Sequence, residues 1–149
     1  MDNNNRDELL SLKGWMVECE SPLEVRHHDG SRASGQAARI VIDALLEECR
    51  VDAQHRAKLI EELQAVASDV ALTIDDAVSK CAEKPEKTKF YWSRAYHRVF
   101  SPRVSDRVHD IAKELEQPFD YFDPDTAYKE DVRAFHAGLV KYISELRAL

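Results

Sequence analysis

The chain has few of the residues that interrupt helices. Of its 149 residues, only four are glycine and five are proline. A fold of many short strands needs frequent turns, and turns draw heavily on these two residues. Their scarcity therefore argues against such a fold and favours long helices with few connections.

Long apolar runs are missing as well. No stretch approaches the roughly 20 apolar residues that a helix needs to cross a bilayer. The first residues, MDNNN, are polar and do not resemble the basic start of a secretory signal. The sequence therefore predicts a protein that does not enter the membrane and works in the cytoplasm.

Signatures of catalysis and of cofactor binding are also scarce. The three cysteines, Cys19, Cys49 and Cys81, lie far apart and predict neither a disulfide framework nor a zinc site. The chain has no glycine-rich phosphate loop, nucleophile elbow or H-E-x-x-H motif. We predict no cofactor, and the sequence favours binding over enzymatic activity.

Two carboxylate–histidine pairs have the i, i+3 spacing of di-iron helical proteins. They are Glu24 with His27 and Asp106 with His109. The first pair falls in a predicted loop, and the second has Asp where that motif has Glu. We therefore predict no metal site.

The apolar residues that are present recur at helical spacing. We predict an all-α, single-domain helical bundle of five to six helices over residues 1–149, with a flexible tail at 1–5 and a loop at 21–33. Helices are expected over about 6–18, 34–50, 53–83 and 88–100, then from Pro102 to near Pro118, and over 126–147. Asp52 reads as the N-cap of the long helix 53–83.

Two of these helices carry strong apolar seams. The seam of helix 53–83 steps by three and four residues through Ile60, Leu63, Ala67, Val70, Ile74, Ala77 and Cys81. The seam of helix 126–147 runs through Tyr128, Val132, Phe135, Leu139, Tyr142 and Leu146. Such stripes predict helices that pack their apolar sides together.

Charge is unevenly placed along the chain. The net charge is −7, yet residues 84–109, here called the basic segment, hold seven lysines and arginines against two acidic residues. Four acidic residues recur every seven positions on helix 53–83 and form the acidic band: Glu62, Asp69, Asp76 and Glu83. The basic segment can fold back on this band or face a partner, and the sequence leaves both alternatives open.

The leading hypothesis is a binding protein, of the inhibitor, adaptor or immunity-factor type, that covers a macromolecular partner through a charged surface. Arginine and aromatic residues are enriched at binding hot spots, so we expect the basic segment to supply the contact. The candidate residues are Lys87, Lys89, Tyr91, Trp92, Arg94, Arg98, Arg103 and Arg107. The acidic band is a second candidate surface. The expected partner is a protein, with RNA, DNA or a second copy of the chain as alternatives.

One pattern in the basic segment points to catalysis instead. Arg103 and His109 form R-x5-H, which resembles the R-x(4–6)-H motif of the helical HEPN-type ribonucleases. The resemblance implies a dimer that cleaves RNA, with these two residues at the active site. Arg50 and His55 also fit the pattern. A nucleic-acid-binding protein, with or without this cleavage, is therefore the alternative function.

Overall fold

A computed structural model describes residues 2–119 and 128–149. These residues are mostly helical, with five α-helices and a small three-stranded sheet. The helices are α1 (Asn3–Leu12), α2 (Gln36–Glu83), α3 (Thr88–Val99), α4 (Ser105–Leu115) and α5 (Tyr128–Ala148). The strands are β1 (Trp15–Glu20), β2 (Leu23–His27) and β3 (Arg32–Ser34), and a 3₁₀ turn spans Pro85–Lys87.

The contacts divide the chain into two compact units, residues 1–55 and 56–149. The division falls inside α2, so one helix contributes to both units. The prediction of a single domain therefore stays a prediction.

The first unit combines helices with an antiparallel sheet. The strands pair in the order β1-β2-β3, with Val17 opposite Val25 and Val25 opposite Ala33. A small core joins Leu10 of α1, Val25 of β2, and Ala38 and Ile42 of α2. The sheet is thus covered by apolar side chains from two helices.

The second unit has one larger core. It is built on the two predicted apolar seams: Leu63, Ala67, Val70 and Ala77 are buried on α2. On α5, the buried seam residues are Val132, Phe135, Leu139, Tyr142 and Leu146. α3 adds Trp92, Ala95 and Val99, and α4 adds Val108, Ile111 and Ala112. The remaining seam residues, Ile60, Ile74, Cys81 and Tyr128, are partly buried against this core, so most of each predicted seam is confirmed as a buried face.

Residues 15–34 correct the all-α prediction. The predicted helix 6–18 ends at Leu12, and its last part is strand β1, in which half-buried and exposed residues alternate. Gly14, at φ 80°, supplies the left-handed backbone between α1 and β1. The predicted loop 21–33 contains β2 and the start of β3, joined by a turn through Asp29 and Gly30.

Two predicted helix starts are also wrong. Asp52 lies inside α2 rather than at its start, because no glycine or proline interrupts residues 36–83. Its carboxylate instead forms an ion pair with Lys13 Nζ at 3.0 Å. At the amino terminus, the expected tail is largely helical, since Asp2 caps α1 by accepting a hydrogen bond from the Asn5 backbone N–H at 2.8 Å.

Candidate partner-binding surface

Helix α3 presents the central part of the basic segment. The Thr88 hydroxyl donates to the Pro85 carbonyl oxygen at 2.7 Å, which links the helix to the preceding 3₁₀ turn. The inner side of α3 is apolar: Trp92, Ala95 and Val99 are buried at helical spacing. The same spacing turns Phe90 and Arg94 outward, where both are exposed.

Phe90 is the central feature of this outer side. Its exposed fraction is 54%, a large value for a phenylalanine. The Arg94 guanidinium carbon lies 5.8 Å from the centroid of the Phe90 ring, within cation–π range. Lys87 and Lys89 are exposed on the same turn of the chain. We call Lys87, Lys89, Phe90 and Arg94 the Phe90 face.

Among the residues that the structure describes, the cations of the Phe90 face have no acidic partner. In residues 2–119 and 128–149, none of Lys87, Lys89 and Arg94 forms an ion pair. A cation that is not neutralised internally keeps its full attraction for an external anion. This face therefore combines an exposed ring with positive charge that is available for binding.

The remaining arginines of the basic segment fold back on the acidic band. Arg107 donates two hydrogen bonds to the Glu62 carboxylate, both at 2.7 Å. Arg98 donates one to Asp69 at 3.1 Å. The hydrogen bonds from Arg107 hold the pKa of Glu62 below its ordinary value, and the same contact raises the pKa of Arg107. These two arginines are therefore partly engaged in holding α3 and α4 to α2.

The acidic band is correspondingly neutralised. Asp76 pairs with Lys80 one turn along α2, at 3.0 Å. Three of the four residues of the band therefore have a cationic partner, and Glu83 is exposed near the end of α2. The band has little free negative charge to offer a second molecule.

Trp92 and Arg103 differ in their surroundings from the Phe90 face. Trp92 is a core residue, with only 4% of its surface exposed, so an outside molecule does not reach its ring. Arg103 is exposed and lies in the short connection between α3 and α4. Neither residue belongs to the Phe90 face.

Two cations near α3 come from a distant part of the sequence. Lys129 and Arg133, one turn apart on α5, place their charges 5.8 and 5.7 Å from the Trp92 ring centroid. Both residues are exposed. The sequence carried the i, i+4 spacing of this pair as a signal, but not the proximity of α5 to α3, which is tertiary.

A cleft opens between α2 and α3 on the other side of Arg94. Its volume is about 520 Å³, and its walls include Leu72, Asp76 and Lys80 of α2 and Tyr91 and Arg94 of α3. Lys80 Nζ lies 6.0 Å from the Tyr91 ring centroid, across the cleft. Tyr91, predicted as a binding residue, is thus a wall of the cleft.

The two residues of the R-x5-H pattern lie in different surroundings. Arg103 precedes α4, whereas His109 lies within α4, with its ring 5.8 Å from the ring of Phe119. His109 is half-buried, and Arg103 is exposed. The His109 ring is therefore partly packed against an aromatic neighbour.

Glu24 and His27 do not converge as a helical pair would. Both lie on β2, where residues three apart point to opposite faces of the sheet. His27 Nδ1 instead lies 3.0 Å from Asp29 Oδ1. Over the described residues, no three histidine, cysteine, aspartate or glutamate side chains cluster as a metal site requires.

No family model, curated protein or solved structure matches the chain. Among the helices of residues 2–119 and 128–149, none has the length and apolar character needed to cross a membrane. The functional conclusion therefore depends on the geometry of the surface itself.

Proposed function

We propose that the chain is a non-enzymatic binding protein that covers an acidic protein partner through the Phe90 face. The single observation that supports this most strongly is the exposed Phe90 ring beside Arg94, a cation without an ion pair in the described parts of the chain. An inhibitor, an adaptor or an immunity-type factor would each act in this way. With its three free cysteines, the protein is proposed to work in the cytoplasm.

The anatomy of the Phe90 face is that of a binding hot spot. Fully burying a phenylalanine side chain contributes about 1.5–3 kcal/mol, and Phe90 is 54% exposed, so covering the rest of its ring contributes about half of that. Arginine next to an aromatic ring is a combination enriched at interface centres. Lys87 and Lys89 would add long-range attraction, which chiefly raises the rate of association with an acidic surface.

The test compares variants of a tagged chain expressed in its own host. Arg94→Glu and Phe90→Ala should each lose the co-purified partner after nuclease treatment of the lysate. Arg103→Glu is the matched control, since it makes the same charge change at an exposed arginine outside the face. Retention of the partner by Arg94→Glu and Phe90→Ala, or equal loss from Arg103→Glu, would rule out the Phe90 face.

Nucleic-acid binding is the competing function, because an exposed ring flanked by cations also suits a base and its phosphate. A salt titration with RNA and DNA oligonucleotides separates the two, since phosphate contacts give an affinity that falls steeply with salt. If RNA is cleaved by the Arg103–His109 pair, His109→Ala should abolish cleavage without unfolding the chain. Absence of binding at low salt would leave the protein partner as the explanation.

A second copy of the chain is a further candidate partner. Analytical sedimentation of the wild type and of Arg94→Glu addresses it directly. A dimer that the substitution dissociates would assign the Phe90 face to self-association. A monomer at all concentrations would exclude self-association through this face.

A further inference from the structure

The α2–α3 cleft is built from two antiparallel helical faces. Asp69 on α2 meets Arg98 on α3 at one end, and Lys80 lies over Tyr91 at the other. From Asp69 to Lys80 the α2 wall is about 16 Å long, at the usual rise of about 1.5 Å per residue. That length corresponds to about three turns of a helix laid alongside it.

The charges in the cleft leave one cation available. Asp69 and Asp76 both line it, and each is already paired, with Arg98 and with Lys80. Arg94 also lines it and has no such pairing among the residues that the structure describes. The cleft therefore attracts a single negative group at the Arg94 side.

Its apolar character comes mainly from α2. Leu72 of α2 is 68% exposed, whereas Leu59 and Leu63 on the same helix are buried. Ala77 and Ala95 lie deeper in the same cleft and are buried. An occupant would thus meet one exposed leucine on the α2 wall and a guanidinium on the α3 wall.

We infer that the occupant is an acidic amphipathic helix of the partner protein, with its apolar side chains on Leu72 and a carboxylate on Arg94. The inference rests on the proposed function and adds the chemistry of the partner's contact. Helices that dock in grooves present apolar anchors three and four residues apart, and an α2 wall of about three turns is long enough for such anchors. The matching charge on Arg94 selects an acidic helix over a basic one.

A nucleic acid fits this cleft poorly. A polyanionic backbone needs several cations along its path. The cleft instead places two aspartates beside its cations. A protein helix with one well-placed carboxylate meets the available charge without facing this repulsion.

The test selects ligands from a display library of helical peptides about 14 residues long, using the full chain as bait. Enriched clones should carry an excess of aspartate or glutamate beside apolar residues spaced three and four apart. No enrichment, or enrichment without acidic residues, would overturn the inference. A 15-nucleotide oligothymidylate serves as the nucleic-acid probe, and binding of this probe in place of acidic peptides would also overturn it.

Variants of α2 then distinguish the cleft from the Phe90 face. Leu72→Asp should weaken binding of a selected peptide by about tenfold or more, as should Arg94→Glu. Leu72→Ala is a milder second variant that removes the apolar contact without adding charge. Val78→Asp is the matched control, since Val78 is 45% exposed on the same helix and does not line the cleft.

The two proposals fail in different ways. If Leu72→Asp and Leu72→Ala bind the selected peptide as the wild type does, the helix inference is wrong. If the host partner is nevertheless lost from Arg94→Glu, the proposed function still holds. If Arg94→Glu keeps both ligands, neither proposal survives.

Discussion

The ion pair between Arg107 of α4 and Glu62 of α2 offers the sharpest test of how the basic segment is used. Two of the three guanidinium nitrogens, Nε and Nη2, each donate to one carboxylate oxygen at 2.7 Å. The relevant perturbations are Glu62→Gln, Arg107→Met and the two together. Methionine keeps most of the aliphatic stem of arginine, so the cycle isolates the charged contact.

The expected coupling free energy at neutral pH is stabilising and small, near the upper end for solvent-exposed pairs because the geometry is bidentate. A larger value is not expected, since the exposed fractions of the two side chains are 36% and 42%. The pKa of Glu62 is lowered in the fold, mainly by the Arg107 hydrogen bonds. The pair's contribution is therefore complete above the unfolded-chain glutamate pKa of about 4.3 and is lost as the pH falls through the lower folded pKa.

Urea unfolding measures this coupling in the unit that contains it. The chain has two tryptophans, Trp15 and Trp92, one in each compact unit. In a Trp15→Phe background, fluorescence reports on Trp92, in the same core as α4. Free energies of unfolding for the four chains at about pH 7 and about pH 3 then give the coupling at each pH.

A control cycle uses Arg103→Met with Glu62→Gln and should give no coupling, because Arg103 is exposed and forms no ion pair within the described residues. Zero coupling between Glu62 and Arg107 at neutral pH would refute the internal pairing of Arg107. Coupling of the same size at about pH 3 would refute the assignment of the effect to the ionised Glu62 carboxylate.

The remaining predictions concern packing. Leu139→Ala removes three buried carbons, worth about 0.8 kcal/mol each before the cavity is counted, and should lower the free energy of unfolding by about 3 kcal/mol. Its neighbour Val140 is 48% exposed, so Val140→Ala should change the free energy of unfolding by less than about 0.5 kcal/mol. If the two substitutions shift the urea midpoint equally, the orientation of α5 is contradicted. Gly14→Ala should destabilise the first unit by about 1–2 kcal/mol, because it forces a left-handed alanine. The new Cβ would also lie 2.3 Å from His28 Nδ1, too close for two non-bonded atoms. If hydrogen exchange of the β2 amides is unchanged in this variant, the expected destabilisation is contradicted.

The long amphipathic helices were predictable because the regular spacing of their apolar residues lies within one continuous stretch of sequence. Leu63 and Val70 on α2, and Phe135 and Leu139 on α5, occupy the buried faces that their spacing indicated. The end of α2 was predictable too, since Pro85 follows it and cannot continue a helix. The continuity of α2 past residue 50 was not predicted, because Asp52 resembles an N-cap, whereas it lies inside the helix and its carboxylate pairs with Lys13.

The sheet was missed because its signals are short and ambiguous. The six residues of β1 alternate in burial, but Met16 also continued an apparent helical stripe with Leu9 and Leu12. The Asp29–Gly30 turn is a recognisable hairpin signal, yet the strands on either side of it are only five and three residues long. Such strands are stable only once α1 and α2 cover them, which depends on tertiary packing.

By itself, the sequence determined that the chain is mostly helical and that its positive charge is concentrated in residues 84–109, because both properties follow from the order of neighbouring residues. Only the tertiary structure decided which of those charges are paired within the described residues. Arg98 and Arg107 come within hydrogen-bonding distance of α2 carboxylates, while Arg94 lies beside Phe90 at the edge of a cleft. Electrostatic attraction acts through space, so the division between paired and available charge depends on which helices pack side by side.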